Sequence, residues 1–240
     1  MMKHNNMPVH APLYPSPFVP YECMDQKSIF AYLRVDETVI KRYLEDTPFD
    51  YVDNILFVSI TDFSNCDKIP YMDCALTIPV KYDDTYGGYF LYEYENHDAA
   101  IAAGRELWGY PKKYADITLD HNGANVTAKA TRYGKEIIRL ECNLEETIEK
   151  IPDATLTPHL NIHAFPNPNK PGIHSTRITS RDTSPDFQTK EKYLTKVTVH
   201  LQGLETDPLG DLHPFEVLGG GFTIGDFYAT EENGWGHVIG

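Results

Sequence analysis

What this chain lacks narrows the field first. It has no apolar run approaching the ~18 residues a membrane helix requires, and its first twenty residues contain no apolar stretch of signal-peptide type. Neither a membrane span nor a secretory leader is expected. Positive charge is scarce, with 21 Lys and Arg against 35 Asp and Glu and a formal net charge of −14. Nucleic acid and anionic lipid both seek basic surfaces, so neither is expected as a partner. Cys23, Cys66, Cys74 and Cys142 make no C-x-x-C pair and no disulfide-framework spacing. Their reading is reduced thiols in a cytoplasmic protein.

Metal and phosphate signatures are missing too. His159 and His163 are four apart, but no H-E-x-x-H and no third ligand accompany them. Gly219-Gly-Gly221 is followed by no G-K-S/T, so it predicts no phosphate loop.

What is present is an ordinary globular composition, 41% hydrophobic and 23% charged, with an unusual 16 tyrosines. Tyrosine suits half-buried pleated surfaces. Residues 1–20 hold Pro at 8, 12, 15, 17 and 20 and read as a mobile or surface-hugging arm, with 21–240 as a single domain. Strands are predicted at 28–34, 55–61, 76–80, 89–94, 114–119, 125–132, 136–142, 194–201 and 222–228. Asp36 is placed to cap a short helix ending near Tyr43 or Leu44, and Asn96 to cap a second over 97–107, which Gly109 and Pro111 end. Asn122-Gly123 marks a hairpin. The stretch 166–190, rich in Pro, Asn, Ser and Thr, reads as a long surface loop. The economical fold class is mainly β, antiparallel, with short peripheral helices.

The informative segment is Gly104-Arg-Glu-Leu-Trp-Gly-Tyr-Pro-Lys-Lys113. As physics alone, two lysines after a helix-ending proline are most often a solvated basic turn. Here Pro111 fixes the backbone before Lys112, and Trp108, Tyr110 and Tyr114 surround the pair with apolar bulk. A lysine is a poor nucleophile at its ordinary pKa of about 10.4, and neutrality near pH 7 requires about 4–5.5 kcal/mol of differential interaction. Burial of the ammonium supplies such energies, and a second cation, Lys113 or Arg105, pushes the same way.

The string GRELWGYPKKYADI resembles the active-site signature of the acetoacetate decarboxylase family. Ser16-Pro17, Arg34-x-Asp36, Ile78-Pro79-Val80, Val197-Thr-Val-His200 and Pro208-Leu-x-Asp211-Leu also resemble family landmarks, over about residues 16–227. The resemblance implies an antiparallel β cone or barrel, a homo-oligomer and a lyase acting on a small keto acid. It implies no metal or organic cofactor. It makes Lys112 the Schiff-base lysine and Lys113 its partner, an activation the family is known for and the residues alone do not show. An iminium on such a lysine serves decarboxylation, aldol addition with dehydration, or, in a degenerate member, binding alone.

The same resemblance places two carboxylates and an arginine around the lysine. Laid on without a gap, the acid positions fall at Val58 and Asp73 and the arginine position at Gln26, an amide that cannot neutralise a carboxylate as a guanidinium does. Asp73 is expected to work beside the amine in proton transfer or positioning. Arg105 and Glu106 are candidates for a supporting pair. Phe90, Tyr92 and Tyr94 share one strand face by parity, with Tyr89, Leu91 and Glu93 on the other; one of these faces is a candidate pocket wall. Substrate contacts are accordingly expected from Gln26, Val58, Tyr94, Arg105, Glu106, Trp108 and Tyr110.

Overall fold

The structure, a computed structural model, describes residues 6–240. Fourteen strands form one sheet with the path β14-β11-β10-β5-β4-β3-β1-β13-β12-β9-β8-β7, while β2 pairs with β4 and β6 with β5. In chain order they are β1 (Tyr21–Val35), β2 (Asp50–Tyr51), β3 (Ile55–Phe63), β4 (Tyr71–Tyr82), β5 (Thr85–Glu95), β6 (Lys112–Tyr114) and β7 (Asp116–Asn122). There follow β8 (Asn125–Arg132), β9 (Lys135–Thr147), β10 (His159–Pro166), β11 (Ile173–Arg181), β12 (Gln188–Leu201), β13 (Phe215–Ala229) and β14 (His237–Val238). The path does not close, and the curled sheet is of the cone-like kind that the family resemblance implies.

Helix α1 (Glu37–Leu44) forms where Asp36 caps it, the carboxylate accepting the Thr38 amide proton. Helix α2 (Asp98–Ala103) runs directly into a π-helical turn, Gly104–Trp108. His97 caps α2, whereas Asn96 holds the neighbouring strand by accepting from the Met72 amide at 2.7 Å. Among the described residues no helix is long and apolar enough to cross a membrane.

Strand alternation builds two compartments. On β3, Leu56, Val58 and Ile60 enter the main core, where they meet Ile29, Leu33, Leu76, Ile78, Ile138 and Leu140. The opposite faces of β3, β4 and β5 line a cavity. A second apolar cluster roofs it: Tyr14, Phe18 and Val19 of the N-terminal arm pack with Ala99, Ala100, Trp108 and Tyr110. The arm is pinned where the Tyr14 hydroxyl donates to Glu106 Oε2 at 2.9 Å and Lys68 Nζ donates to the Phe18 carbonyl at 2.7 Å. Its first five residues lie outside the described residues.

Two expectations fail. The stretch 166–190 is no simple loop, since Ile173–Arg181 forms β11, an antiparallel partner of β10 from His159↔Arg181 to Phe165↔Ser175. Only its last four residues include buried positions, so the strand carries almost no apolar signal; its order comes from the ladder. Nor are all four thiols reduced. Cys23 and Cys66 form a disulfide across an isolated antiparallel bridge, while Cys74 and Cys142 are free and buried. The two lie 43 positions apart, and the return of the β3–β4 loop onto β1 brings them together.

Candidate active site

Lys112 opens β6, which runs parallel to β5 and sets Lys112 beside Glu93. The approach is made by the π-helical turn. Its end is Gly109 at φ 76°, a left-handed conformation that glycine adopts without strain. A side chain there would also strike the backbone of His163. Gly104, helical at φ −61°, lies flat against the Lys112 stem, so that a methyl at 104 would overlap Cε and Cδ. Such π-turns recur at functional sites because the wider turn re-aims the chain.

Lys112 is 8% exposed, and its amine points into a cavity of about 320 Å³. Lys112 Nζ donates to Glu93 Oε1 at 2.8 Å and to Glu95 Oε1, and lies 3.6 Å from Asp73 Oδ2. Strand pairing dictates this cluster, because Asp73 on β4 is directly opposite Glu95 on β5. Burial alone pulls the Lys112 amine down, but Glu93, Glu95 and Asp73 outweigh it and hold the ammonium well above its usual range. Burial raises all three carboxyls, against the opposing pull of Lys112, with Glu95 pushed up to about 7. Three buried carboxylates against one ammonium would leave two uncompensated charges, so the cluster takes up protons instead. Each proton added weakens the hold on the ammonium. The oxygens of these three acids lie within 4.8 Å of one another, a donor set that suits a cation, and Lys112 Nζ is the cation among them.

The rest of the cavity is largely aromatic, with Phe18, Tyr21, Phe57, Phe90, Trp108 and Tyr110 among its walls. The Tyr110 ring lies 5.2 Å from Lys112 Nζ, and its hydroxyl is 2.7 Å from His159 Nδ1. Burial and nearby Arg181 push His159 down to about 3, leaving it neutral, and burial pushes Tyr110 up to about 12. Arg181 is the second cationic side chain on the cavity wall. Its Nε donates to the Gly234 carbonyl at 2.7 Å and Nη2 to the Tyr21 hydroxyl at 3.1 Å, with the guanidinium 4.0 Å over the Trp108 ring.

Of the residues singled out from sequence, Lys112, Asp73, Trp108 and Tyr110 meet at this cavity. Lys113, Tyr94, Val58, Gln26, Arg105 and Glu106 do not line it. Lys113 points to the opposite side of its strand, donating to Asp207 Oδ1 at 2.8 Å and the Thr206 carbonyl at 2.9 Å. It is no partner cation for the amine. Tyr94 faces the same way and donates to Asp207 Oδ1 at 3.0 Å. Val58 is fully buried in the main core, while its neighbours Ser59 and Thr61 face the cavity. Gln26 follows a bulge in β1 and stays off the cavity wall, its Oε1 buried without a partner. Arg105 is exposed and donates to the Lys112 carbonyl at 3.1 Å, and Glu106, also exposed, anchors the arm through Tyr14.

Sequence reasoning missed Glu93 and Glu95 as the acids beside the lysine. A bulge at Leu91 puts Tyr92 opposite Leu76 but Phe90 opposite Thr77, so Phe90 shares the cavity face with Glu93 and Glu95 rather than with Tyr92 and Tyr94. Two acids alternating in an otherwise apolar strand were the available signal. Arg181 carried none, because β11 has little apolar pattern, and the only signal at His159 was its spacing from His163.

Comparison with known proteins bears on this arrangement. A family model described as acetoacetate decarboxylase matches residues 6–234. Acetoacetate decarboxylase 3 of Mesorhizobium japonicum is 35% identical over 133 residues, covering 53% of this chain and 49% of that protein. Acetoacetate decarboxylase of Burkholderia cenocepacia is 31% identical over 134 residues, covering 54% and 51%. The chain thus spans about half the length of the curated relatives it matches. In fold it is similar to acetoacetate decarboxylase from Legionella pneumophila, at TM-score 0.83 and 16% identity over 96% of this chain and 90% of that one. It is also similar to the enduracididine biosynthesis enzyme MppR complexed with the condensation product of pyruvate and imidazole 4-carboxaldehyde, at TM-score 0.77 and 13% identity over 99% and 97%. Because the family match runs through the whole lysine–carboxylate cluster and the strands that position it, the chain belongs to the acetoacetate decarboxylase family.

Proposed function

We propose that this protein is a carbon–carbon lyase that decarboxylates a small keto acid through a Schiff base on Lys112. The observation that carries the reading is a buried amine directed into a largely aromatic cavity, in contact with two carboxylates and close to a third. Glu95 accepts the ammonium proton, and the freed amine attacks the ketone. Loss of water leaves an iminium, which accepts the electron pair of the breaking carbon–carbon bond as carbon dioxide departs. Glu95 returns its proton to the departing water, and the neighbouring Glu93, whose carboxyl burial holds well above its usual range, supplies the proton that the enamine carbon takes up. Hydrolysis of the new iminium releases the ketone and restores the amine. A substrate carboxylate held beside Asp73, Glu93 and Glu95 is electrostatically disfavoured, and its departure as neutral carbon dioxide relieves that repulsion. The working form is proposed to be a homo-oligomer.

A second reading uses the same lysine for a pyruvate-type aldol addition and dehydration. It is favoured by Gln26, an amide off the cavity wall where the decarboxylase pattern implies an arginine. Incubation with β-keto acids separates the two by ketone and carbon dioxide release. Incubation with pyruvate and an aldehyde gives a conjugated product absorbance only under the second. Saturable keto-acid binding with neither product would leave a binding protein and sink both.

A further inference from the structure

Arg181 poses a problem that the proposed chemistry at Lys112 does not solve. It is 7% exposed, yet among the described residues no carboxylate lies within ion-pair distance of it. Its partners are a carbonyl, tyrosine hydroxyls and the face of an indole, all uncharged. His159, across the strand pair from it, is neutral and offers no counter-charge. The other buried arginine among the described residues, Arg132, is paired with Asp207 at 3.0 Å, which is how a buried guanidinium is ordinarily held. A buried guanidinium with no anion is costly, and one that lines a cavity can recover that cost from a ligand.

The acids of this site cannot serve it. Asp73, Glu93 and Glu95 are gathered on Lys112 instead. Tyr110 touches both ends, with its ring 5.2 Å from Lys112 Nζ and its hydroxyl bonded toward His159 and Arg181. The cavity therefore has an anion-repelling pole around the amine and an anion-seeking pole at Arg181, joined by apolar aromatic walls.

We propose that Arg181 anchors a second, retained carboxylate of the substrate, so that the natural substrate is a keto diacid rather than a simple β-keto monoacid. This rests on the Schiff-base reading for the reacting end only. The departing carboxylate lies at the acid cluster, the ketone meets Lys112, and the carboxylate that survives in the product pairs with the Arg181 guanidinium. Nothing is transferred at Arg181; it positions the substrate along the cavity and sets specificity.

The test compares 3-oxoadipate with 3-oxohexanoate, β-keto acids of equal length that differ in whether the far end is a carboxylate or a methyl. The diacid is expected to show the higher kcat/KM by about tenfold or more, mainly through KM, as a charge-assisted contact provides. Arg181→Gln should bring the ratio near one, and Arg181→Lys should restore part of it. A ratio near one in the unaltered protein, or a preference that survives Arg181→Gln, would overturn the proposal. A separate arm removes the ketone and the departing carboxylate: calorimetry of the unaltered protein with hexanoate and with uncharged hexanamide. Binding of hexanoate at least about tenfold tighter is expected, and equal or absent binding contradicts the anion site even if Arg181→Gln fails to fold. Failure of the Schiff-base reading looks different, because hexanoate still binds while borohydride leaves Lys112 unmodified.

Discussion

Gly104→Ala adds one methyl group, and the structure makes its effect calculable. The backbone at 104 is helical, so alanine fits the local conformation and gains about 1 kcal/mol of helix propensity over glycine. The new Cβ, however, would overlap Lys112 Cε and Cδ inside the 3.0 Å limit that real Cβ atoms observe, with Nζ 3.5 Å away. Restoring carbon–carbon contact to ~3.5–4.0 Å requires the lysine stem to shift by about 1 Å or more. Overpacking of this size costs about 1–3 kcal/mol, so net stability falls by roughly 0–2 kcal/mol. For a chain of this length Tm then drops by at most about 8 °C. A displacement of about 1 Å at the reacting group costs about 10²-fold in rate. The assay is enamine formation with a β-diketone, followed by its absorbance, beside a thermal melt. A loss of about two orders of magnitude in rate with a small change in Tm is expected. An unaltered rate would refute the argument that Gly104 aims Lys112.

Three further outcomes are expected. Glu95 is raised from 4.5 to about 7, so the carboxylate that accepts the ammonium proton is present only above about that pH. Turnover should therefore rise as pH rises through about 7 and then level off, and Glu95→Gln should lower kcat by about 10²-fold and remove the break; a rate still climbing toward pH 10 would mean an ordinary lysine. The Cys23–Cys66 bond closes a loop of 43 residues, so Cys23→Ser should cost about 2–4 kcal/mol and lower Tm by several degrees, whereas an unchanged melt would mean the bond contributes nothing. Lys113→Met breaks the contact to Asp207 but leaves Arg132 on that carboxylate, so about 1–2 kcal/mol of stability is lost. The pH dependence of adduct formation at Lys112 should not move, and a shift would restore Lys113 as an electrostatic partner.

Much of the fold was legible because its signals are local. Asp36 caps α1 as its side chain suggests, Gly109 ends the π-turn in the left-handed conformation, and the apolar runs around Leu56, Leu76 and Leu140 became core strands. The lysine signature was legible because it is one contiguous string. What escaped was non-local. The acids beside Lys112 depend on the bulge at Leu91, which parity counting cannot see, and on β4 lying next to β5. Val58 and Gln26 failed because an ungapped register says nothing of which strand face a position takes. Lys113 failed for the same reason, since adjacent residues of a strand face opposite sides. The disulfide and Arg181 required long-range pairings, β1 with the β3–β4 loop and β11 with β10, that leave no mark in a single sequence.

The central claim is a Schiff base on Lys112, and reductive trapping tests it most directly. The protein is incubated with acetoacetate, pyruvate or 3-oxoadipate in the presence of borohydride, then digested and read by mass spectrometry. A reduced adduct on the peptide containing Lys112, absent from Lys112→Ala and undiminished in Lys113→Met, is the result expected. An adduct confined to exposed lysines, or none with any of the three acids, would contradict the account.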